Sequence, residues 1–267
     1  MSIKKVLQKA ENVRFSVIIP HKNTPDLLKR CLGSIPRTQD IQIIVVDDNS
    51  DEQFADFNDL SDLKDEFVEI YLTYKEGKGA SYARNVGMKH AKGNWLLFAD
   101  ADDFFTENAF EHLFAQADAS EDIVYFKSCS CYSDNTNISA TRNFKFNKLV
   151  DNYLAKTKDA EDYIRYLWSA PWAKMIKREL VERQNILFDE TSVANDVMFS
   201  CLLGHYAATV KAVDEIIYTL THIRPSLLER LSQKVFGTEK IRKEKVIINE
   251  TTHLNKHKHK IVRYERG

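Results

Sequence analysis

The feature that most constrains the fold is a repeated unit in which a short apolar segment runs directly into a polar one. Three apolar segments have this form, at residues 15–20, 41–46 and 95–99. Their length and their content of β-branched residues are typical of strands buried on both faces. Because helix-like stretches lie between them, the alternation predicts an α/β fold built on a mostly parallel sheet.

The stretches between these strands carry helix signals. Thr24 is a candidate N-cap and Pro25 suits the first helical position. An acidic stretch at 51–65 predicts a second helix, and residues 80–91 predict a third after a turn that contains Gly77 and Gly79. Residues 67–73 have the pattern of a further strand.

The alternation weakens in the second half of the chain. There we expect a strand at 123–126, a polar loop at 135–147, a helix at 152–168 and a strand at 216–220. No repeat or Pro/Gly/Ser linker divides the chain. The expected organisation is one domain at 1–225, followed by an extension at 226–267.

Charge is distributed unevenly along the chain. The net charge is −1, which gives no reason to expect a nucleic-acid partner, but residues 233–267 hold ten Lys/Arg against four Asp/Glu. The basic extension is therefore either a solvated tail or a segment attracted to an anionic membrane or a phosphate-bearing molecule.

Cysteine and apolar content bear on the compartment. The four cysteines lack the spacing of a zinc site and suit a reducing cytosol. No apolar run approaches the roughly 20 residues that cross a bilayer. We expect a cytoplasmic protein with, at most, peripheral contact at the inner face of the membrane.

An acidic cluster, Asp100-Ala101-Asp102-Asp103, directly follows the apolar segment 95–99. Adjacent carboxylates repel one another unless a cation or hydrogen-bond donors balance them. Mg²⁺ and Mn²⁺ prefer oxygen ligands and are often shared between carboxylates and substrate phosphates. The alternative is that Asp102 and Asp103 cap a helix that begins near Thr106.

Two other polar groups follow apolar strands, at residues 21–23 and 47–50. Since ligands of parallel α/β sheets lie beyond the carboxyl ends of the strands, these groups and the acidic cluster are expected to converge on one crevice. A carboxylate of the 47–50 group could accept a hydrogen bond from the imide N–H of a uracil or thymine ring, or the group could form an ordinary turn and cap. Arg84, beside a glycine-containing helix start, suits an anion.

In this order the motifs resemble those of the family 2 glycosyltransferases, and the match is close over residues 15–105. The resemblance implies a GT-A fold, with a nucleotide-sugar-binding half at 14–105 and an acceptor half at 106–225. The matching motifs are Ser16-Val17-Ile18-Ile19-Pro20 with Asn23, Val46-Asp47-Asp48-Asn49-Ser50, Ala83-Arg84-Asn85 with Gly87, Gly93, and Asp100-Ala101-Asp102-Asp103.

The resemblance also implies roles for residues of the first half. Asp48 would read the base, Asp100 would lie near the ribose, and Asp102, with Asp100, would hold a divalent metal, Mn²⁺ or Mg²⁺, that bridges the diphosphate. Lys22 stands where many relatives carry an aromatic residue that stacks on the base. The other nucleotide-binding residues expected from the match are Pro20, His21, Asn23 and Arg84.

The second half matches the family more loosely. Asp196 corresponds to the second acid of the family's Glu-Asp pair and would be the general base, while Asn195 replaces the usual glutamate. The alternative for Asp196 is an ordinary acid at the start of a helix. Trp172 could stack on an acceptor sugar or belong to the core. His222 lies where related enzymes often place a metal ligand, or it is a structural histidine.

The function expected from these features is inverting transfer of a sugar from a nucleoside-diphosphate donor, with UDP as the leading expectation. The acceptor would be a hydroxyl of a glycan or lipid-linked molecule in cell-surface polysaccharide synthesis. A sugar nucleotidyltransferase is one alternative, although residues 20–24 lack the glycine-rich loop typical of that class. A GT-A domain that binds nucleotide or glycan without turnover is another.

Overall fold

The structure is a computed structural model, and it describes residues 13–51, 67–73, 79–191 and 196–224. Several sequence-based expectations lie outside these residues. They are the helix at 51–65 apart from its first residue, the turn at Gly77, the residue Asn195, and the basic extension at 226–267 with its membrane contact.

The described residues form nine strands and seven helices. The strands are β1 (Phe15–His21), β2 (Ile41–Asp47), β3 (Val68–Leu72), β4 (Trp95–Phe98), β5 (Phe104–Phe105), β6 (Ile123–Tyr132), β7 (Asn135–Ser139), β8 (Lys174–Lys177) and β9 (Val210–His222). The helices are α1 (Pro25–Gly33), α2 (Ala80–His90), α3 (Ala109–Ala115), α4 (Phe144–Leu154), α5 (Ala160–Leu167), α6 (Arg178–Gln184) and α7 (Val197–Tyr206). None of these helices combines the length and the apolar character that crossing a bilayer requires.

One sheet contains all of these strands, in the order β3-β2-β1-β4-β8-β6-β9-β5, with β7 paired to β6. The strands β1 to β4 run parallel to their neighbours within this group, and Phe15 lies opposite both Ile41 and Trp95. The predicted α/β fold and the buried strands of the first half are therefore confirmed. All seven residues of β1 and of β2 are buried.

The second half adds mixed pairing to the sheet. β8 is antiparallel to both β4 and β6, whereas β9 runs parallel to β6. Through this pairing β9 passes along the sheet and ends at His222, on the side where the acidic cluster lies.

Two secondary-structure predictions for the second half are wrong. The segment 135–147 is not a loop, because it contains β7 and the start of α4; every residue of β7 is exposed, so no apolar alternation signals that strand. The helix expected at 152–168 is broken between α4 and α5. Lys156 and Asp159 adopt positive φ angles of 53° and 59°, which a continuous right-handed helix excludes.

Close backbone approach fixes α2 and the turn after it against β1. A Cβ added at Gly87 would lie 2.5 Å from Ile18 Cγ2, and one added at Gly93 would lie 2.5 Å from the backbone of Phe15 and of Ser16. Only glycine fits without movement at Gly93, because the obstacle is backbone. This packing holds Arg84, on α2, close to the ends of the strands.

Candidate active site

The ends of β1 and β2 are joined by a buried histidine-aspartate pair. His21 lies opposite Asp47, its Nδ1 is 2.9 Å from Asp47 Oδ1, and its Nε2 accepts the Thr24 N–H at 3.2 Å. The two bonds require the proton on Nδ1. With 1% of its surface exposed, His21 holds the strand ends together, and its expected contact with a nucleotide stays a prediction.

Asp47 organises the loop after β2. It accepts the backbone N–H of Ser50 at 2.9 Å and the Ser50 hydroxyl at 2.5 Å. Burial by itself raises the pKa of Asp47, but the hydrogen bonds from His21 and Ser50 outweigh it and hold the pKa below its ordinary value. The sequence signal for this role is the Asp47–Ser50 spacing that is typical of a capped turn.

Asn23 ties the loop after β1 to the loop after β2. Its side chain accepts the Asp51 N–H at 2.8 Å and donates to Asp51 Oδ2 at 3.0 Å, while its own N–H donates to Ser50 Oγ at 2.9 Å. Its positive φ of 56° suits asparagine better than most residues. Asn23 therefore shapes the crevice wall.

Asp48 lies between the end of β2 and the start of α2. Its carboxylate is buried, accepts the Gly79 N–H at 2.9 Å and lies 3.9 Å from Lys22 Nζ. Lys22, the departure from the family pattern, thus pairs with the residue expected to read the base. Pro20 is buried within β1, and its expected contact with a nucleotide stays a prediction.

Arg84 connects α2 to the acidic cluster. Its Nη2 donates to Asp100 Oδ1 at 2.6 Å, and only 6% of Arg84 is exposed. Its Nε is buried and has no hydrogen-bond partner among the described residues. The Asp100 backbone N–H in turn donates to the Tyr218 hydroxyl at 2.8 Å, so Asp100 is held from two sides.

The acidic cluster brings three carboxylates together. One oxygen each of Asp100, Asp102 and Asp103 lies within 4.8 Å of the others. Burial, and then the charge of Asp100, raises the pKa of Asp102 and of Asp103 above the ordinary value of 3.8. Three oxygens under mutual repulsion fit a hard divalent cation, because such an ion removes the repulsion and prefers these ligands.

Asp103 binds β9 instead of capping a helix. Its Oδ1 accepts the Thr221 N–H at 2.7 Å, and the Thr221 hydroxyl donates to the Asp102 carbonyl at 2.7 Å. Because α3 begins only at Ala109, with Asn108 in the N-cap position, the capping alternative is wrong.

His222 follows Thr221 and is thereby brought beside the acidic cluster. It is exposed and its ring lies 5.8 Å from that of Tyr132. Among the described residues the group whose ligand atoms are within reach of one ion consists of the three aspartates alone. A metal contact by His222 stays a prediction.

Two arginines beside the cluster were missed in the sequence. Arg30 donates to the Asp102 carbonyl at 2.5 Å and its guanidinium lies 5.2 Å from the Phe104 ring centre. Arg142 donates to the Thr221 carbonyl at 2.8 Å. Arg30 resembles an ordinary basic residue in the last turn of a helix, and Arg142 has no motif around it, so neither carried a signal.

Asp196 occupies the N-cap position of α7, and its carbonyl accepts the Ser200 N–H at 3.0 Å. Its carboxylate makes no capping hydrogen bond. This position agrees with the alternative of an ordinary acid at the start of a helix. The general-base assignment stays a prediction.

Trp172 lies in an aromatic cluster behind the acidic loop. It is 5% exposed, its ring stacks on Tyr218 with 5.9 Å between centres and 8° between planes, and Phe146 packs edge-on at 4.8 Å. This burial favours the core alternative over stacking on an acceptor sugar.

Lys174 is a buried lysine that was also missed in the sequence. It is 1% exposed, and its Nζ donates to Ser200 Oγ at 3.2 Å and to the Trp168 carbonyl at 3.4 Å. It forms no ion pair with any described residue, and burial lowers its pKa to about 7. Lys174 thus contacts α7 one turn beyond Asp196.

Solved structures share this fold. A Staphylococcus aureus TarS structure in complex with UDP superimposes with a TM-score of 0.61 at 20% identity, covering 78% of this chain and 60% of that one. A mannosyltransferase from Pyrobaculum calidifontis, PcManGT, in complex with GDP-Man and Mn²⁺, gives a TM-score of 0.58 at 18% identity, covering 84% and 61%. The GT-A fold implied by the resemblance is confirmed.

Relatives found by sequence similarity carry the names of glycosyltransferases. An uncharacterized glycosyltransferase EpsJ of Bacillus subtilis is 28% identical over 86% of this chain and 67% of its own length. The poly(ribitol-phosphate) beta-N-acetylglucosaminyltransferase TarP of Staphylococcus aureus is 26% identical over 70% of this chain and 56% of its own length. The chain thus spans about two thirds or less of these relatives.

The family model described as glycosyl transferase family 2 matches residues 16–184, which is more than half of the chain. The match includes β1 without its first residue, all of β2 to β8, Asp48, Arg84 and the acidic cluster. The protein therefore belongs to glycosyl transferase family 2.

Proposed function

We propose that the protein transfers a sugar, with inversion, from a UDP-sugar to a hydroxyl of a glycan or lipid-linked acceptor in cell-surface polysaccharide synthesis. The observation that carries the proposal is the three-carboxylate cluster joined through Asp100 to Arg84 at the ends of the parallel strands. A cation held by these carboxylates would lie beside a fixed guanidinium, and this combination would suit a nucleoside diphosphate.

Asp102 and Asp100 would hold Mn²⁺ or Mg²⁺. Such an ion, when bound, stabilises the negative charge that grows on the departing diphosphate. The Thr221–Asp103 and Arg30–Asp102 bonds keep the backbone of the acidic loop in place, so little reorganisation is required as the donor binds. The complex of PcManGT with GDP-Man and Mn²⁺ supports the choice of metal.

The nucleoside would lie between Asp48 and Arg84. Asp48 is held at the start of α2 by the Gly79 N–H, and its carboxylate would accept the imide N–H of uracil. Arg84, which donates to Asp100, would hold that carboxylate for a contact with the ribose. The UDP and UDP-GlcNAc complexes of TarS support a uridine donor.

Asp196 would act as general base. Its uncapped carboxylate would take the proton from the acceptor hydroxyl as that oxygen attacks the anomeric carbon. The name of TarP, a poly(ribitol-phosphate) beta-N-acetylglucosaminyltransferase, supports an N-acetylhexosamine as the transferred sugar and a cell-surface polymer as the acceptor.

The first experiment is a thermal-shift screen of nucleotide sugars with and without Mn²⁺, followed by transfer assays with the donor that stabilises the protein most. Asp196→Asn should bind that donor as the wild type does and lose transfer. Normal transfer by Asp196→Asn would contradict the general-base role. Donor binding without hydrolysis or transfer in the wild type would identify a non-catalytic binding domain.

A further inference from the structure

Asn85 makes a paired contact across the molecule. It lies on α2 next to Arg84, and its amide Nδ2 donates to the Phe188 carbonyl while its Oδ1 accepts the Phe188 N–H, both at 2.9 Å. The partners are 103 residues apart in sequence, and Asn85 is 6% exposed. Since both buried backbone groups of Phe188 are satisfied by one side chain, loss of that side chain leaves two polar groups unpaired.

The ring of Phe188 packs against other residues of the site. It lies 5.4 Å from the Arg84 guanidinium on one side and stacks on Phe199 on the other, with 3.7 Å between ring centres and 13° between planes. Phe98, at the end of β4, packs edge-on against it at 5.2 Å. Phe188 thus lies between the arginine that holds Asp100 and the helix α7.

Phe199 belongs to the first turn of α7 and is fully buried. It is three residues after Asp196, a spacing that places two side chains on the same face of a helix. A shift of the Phe188 backbone would therefore move Phe199, and with it the start of α7 and Asp196. Interiors are close-packed, so such a shift has no empty space to absorb it.

We propose that Asn85 is a positioning residue that fixes Asp196 relative to the Arg84–Asp100 pair. It does so by holding the Phe188 backbone, against which both Arg84 and α7 pack. The inference rests on the proposed function, since it concerns the distance between the donor-binding residues and the general base. Asn85 itself would touch neither donor nor acceptor.

The test compares Asn85→Ala with Asn147→Ala. Asn147 forms the same pair of bonds with another backbone, that of Ser128, at 3.0 Å and 2.8 Å, and involves neither α2 nor α7. Asn85→Ala should lower kcat for transfer by about tenfold or more, because a small misplacement of a reacting group is costly. Its donor KM and its Mn²⁺-dependent UDP binding should stay within about twofold of the wild type, as should all parameters of Asn147→Ala.

Phe199→Leu gives a second route to the same answer if Asn85→Ala does not fold. It removes the stacking on Phe188 but leaves Arg84 and Asp100 unchanged, and it should again lower kcat without changing donor KM. Urea unfolding of each variant establishes that it is folded under the assay conditions.

Two results would overturn the positioning role while leaving the proposed function intact. One is kinetics of Asn85→Ala that match those of Asn147→Ala. The other is a parallel loss of UDP binding and kcat, which would mean that Asn85 supports the nucleotide site alone. A wild-type protein with neither Mn²⁺-dependent donor binding nor turnover would instead refute the proposed function, and this inference with it.

Discussion

Replacing Lys174 with methionine should change how the stability of the protein depends on pH. Lys174 is buried without an ion pair among the described residues, and burial lowers its pKa from the ordinary 10.5 to about 7. Tyr125, whose ring centre lies 5.7 Å from Nζ, and Asp196 and Cys201 on α7 are the titratable groups that act on it. Methionine keeps much of the side-chain volume and cannot be protonated.

The folded and the unfolded chain hold different numbers of protons on Lys174 over part of the pH range, and this difference makes the stability depend on pH. Between pH 7 and 10.5 the unfolded chain holds a proton on Lys174 that the folded chain has lost, so this residue makes stability rise with pH. The loss of stability caused by burying Lys174 has its full size below pH 7, and it disappears above pH 10.5. Within the window the change approaches about 1.4 kcal/mol per pH unit.

The assay is urea unfolding of wild type and Lys174→Met at several pH values. Between pH 7.5 and 9.5 the free energy of unfolding of the wild type should rise by roughly 2–3 kcal/mol more than that of the variant. The hydrogen bonds lost with Lys174 shift the difference by a constant and do not change its slope. The exposed Lys158→Met is the matched control and should give a slope equal to that of the wild type. Parallel curves for Lys174→Met and wild type would mean that burial does not lower the pKa of Lys174 in the folded protein.

Two further predictions concern packing and the strand ends. Gly93→Ala should lower the free energy of unfolding by about 1–3 kcal/mol, because its Cβ would meet the backbone of Phe15 and Ser16. The control is Gly33→Ala, where nothing lies within 4 Å of the new Cβ. In the same urea titration this control should change the free energy of unfolding by less than about 1 kcal/mol. Asp47→Asn should destabilise the protein at neutral pH, and the difference should vanish as pH falls through the lowered pKa of Asp47, below its ordinary 3.8. An Asp47→Asn deficit that does not shrink as the pH falls below 3.8 would contradict the explanation that hydrogen bonds from His21 and Ser50 stabilise the ionised carboxylate.

The convergence of the site was predictable because it follows from strand direction. Apolar segments with polar residues at their carboxyl ends, in a parallel sheet, must place those residues at one edge. His21 and Asp47 lie opposite one another for this reason. The glycine-containing turn before α2 likewise predicted the helix that carries Arg84.

The sequence does not predict which of two neighbouring residues makes which contact. Asp47 and Asp48 are adjacent carboxylates of the same type, and only the contacts made in the folded protein show that Asp47 binds His21 while Asp48 faces Gly79. In the same way Asp103 binds Thr221, a residue 118 positions away. Such partners are set by tertiary packing, to which local sequence gives no access.

The aromatic and basic residues of the second half show the same limit. Trp172 could have faced solvent or the core, and its stacking on Tyr218 depends on β9 lying behind it. Lys174 is more surprising, because lysine is rarely buried without a carboxylate partner and no sequence pattern marks it. Both residues lie where the sheet changes from parallel to mixed pairing, which the weakened alternation of the sequence left undefined.

In the proposed function, the acidic cluster binds a metal together with the diphosphate of the donor. Calorimetric titration of UDP in the presence and absence of Mn²⁺ tests it most directly, with wild type, Asp102→Asn, and Asp118→Asn as a control at a surface carboxylate that is 92% exposed. The wild type and Asp118→Asn should bind UDP about tenfold or more tightly with Mn²⁺ than without it, whereas Asp102→Asn should bind equally in both conditions. Full Mn²⁺ enhancement in Asp102→Asn, or none in the wild type, would contradict the account.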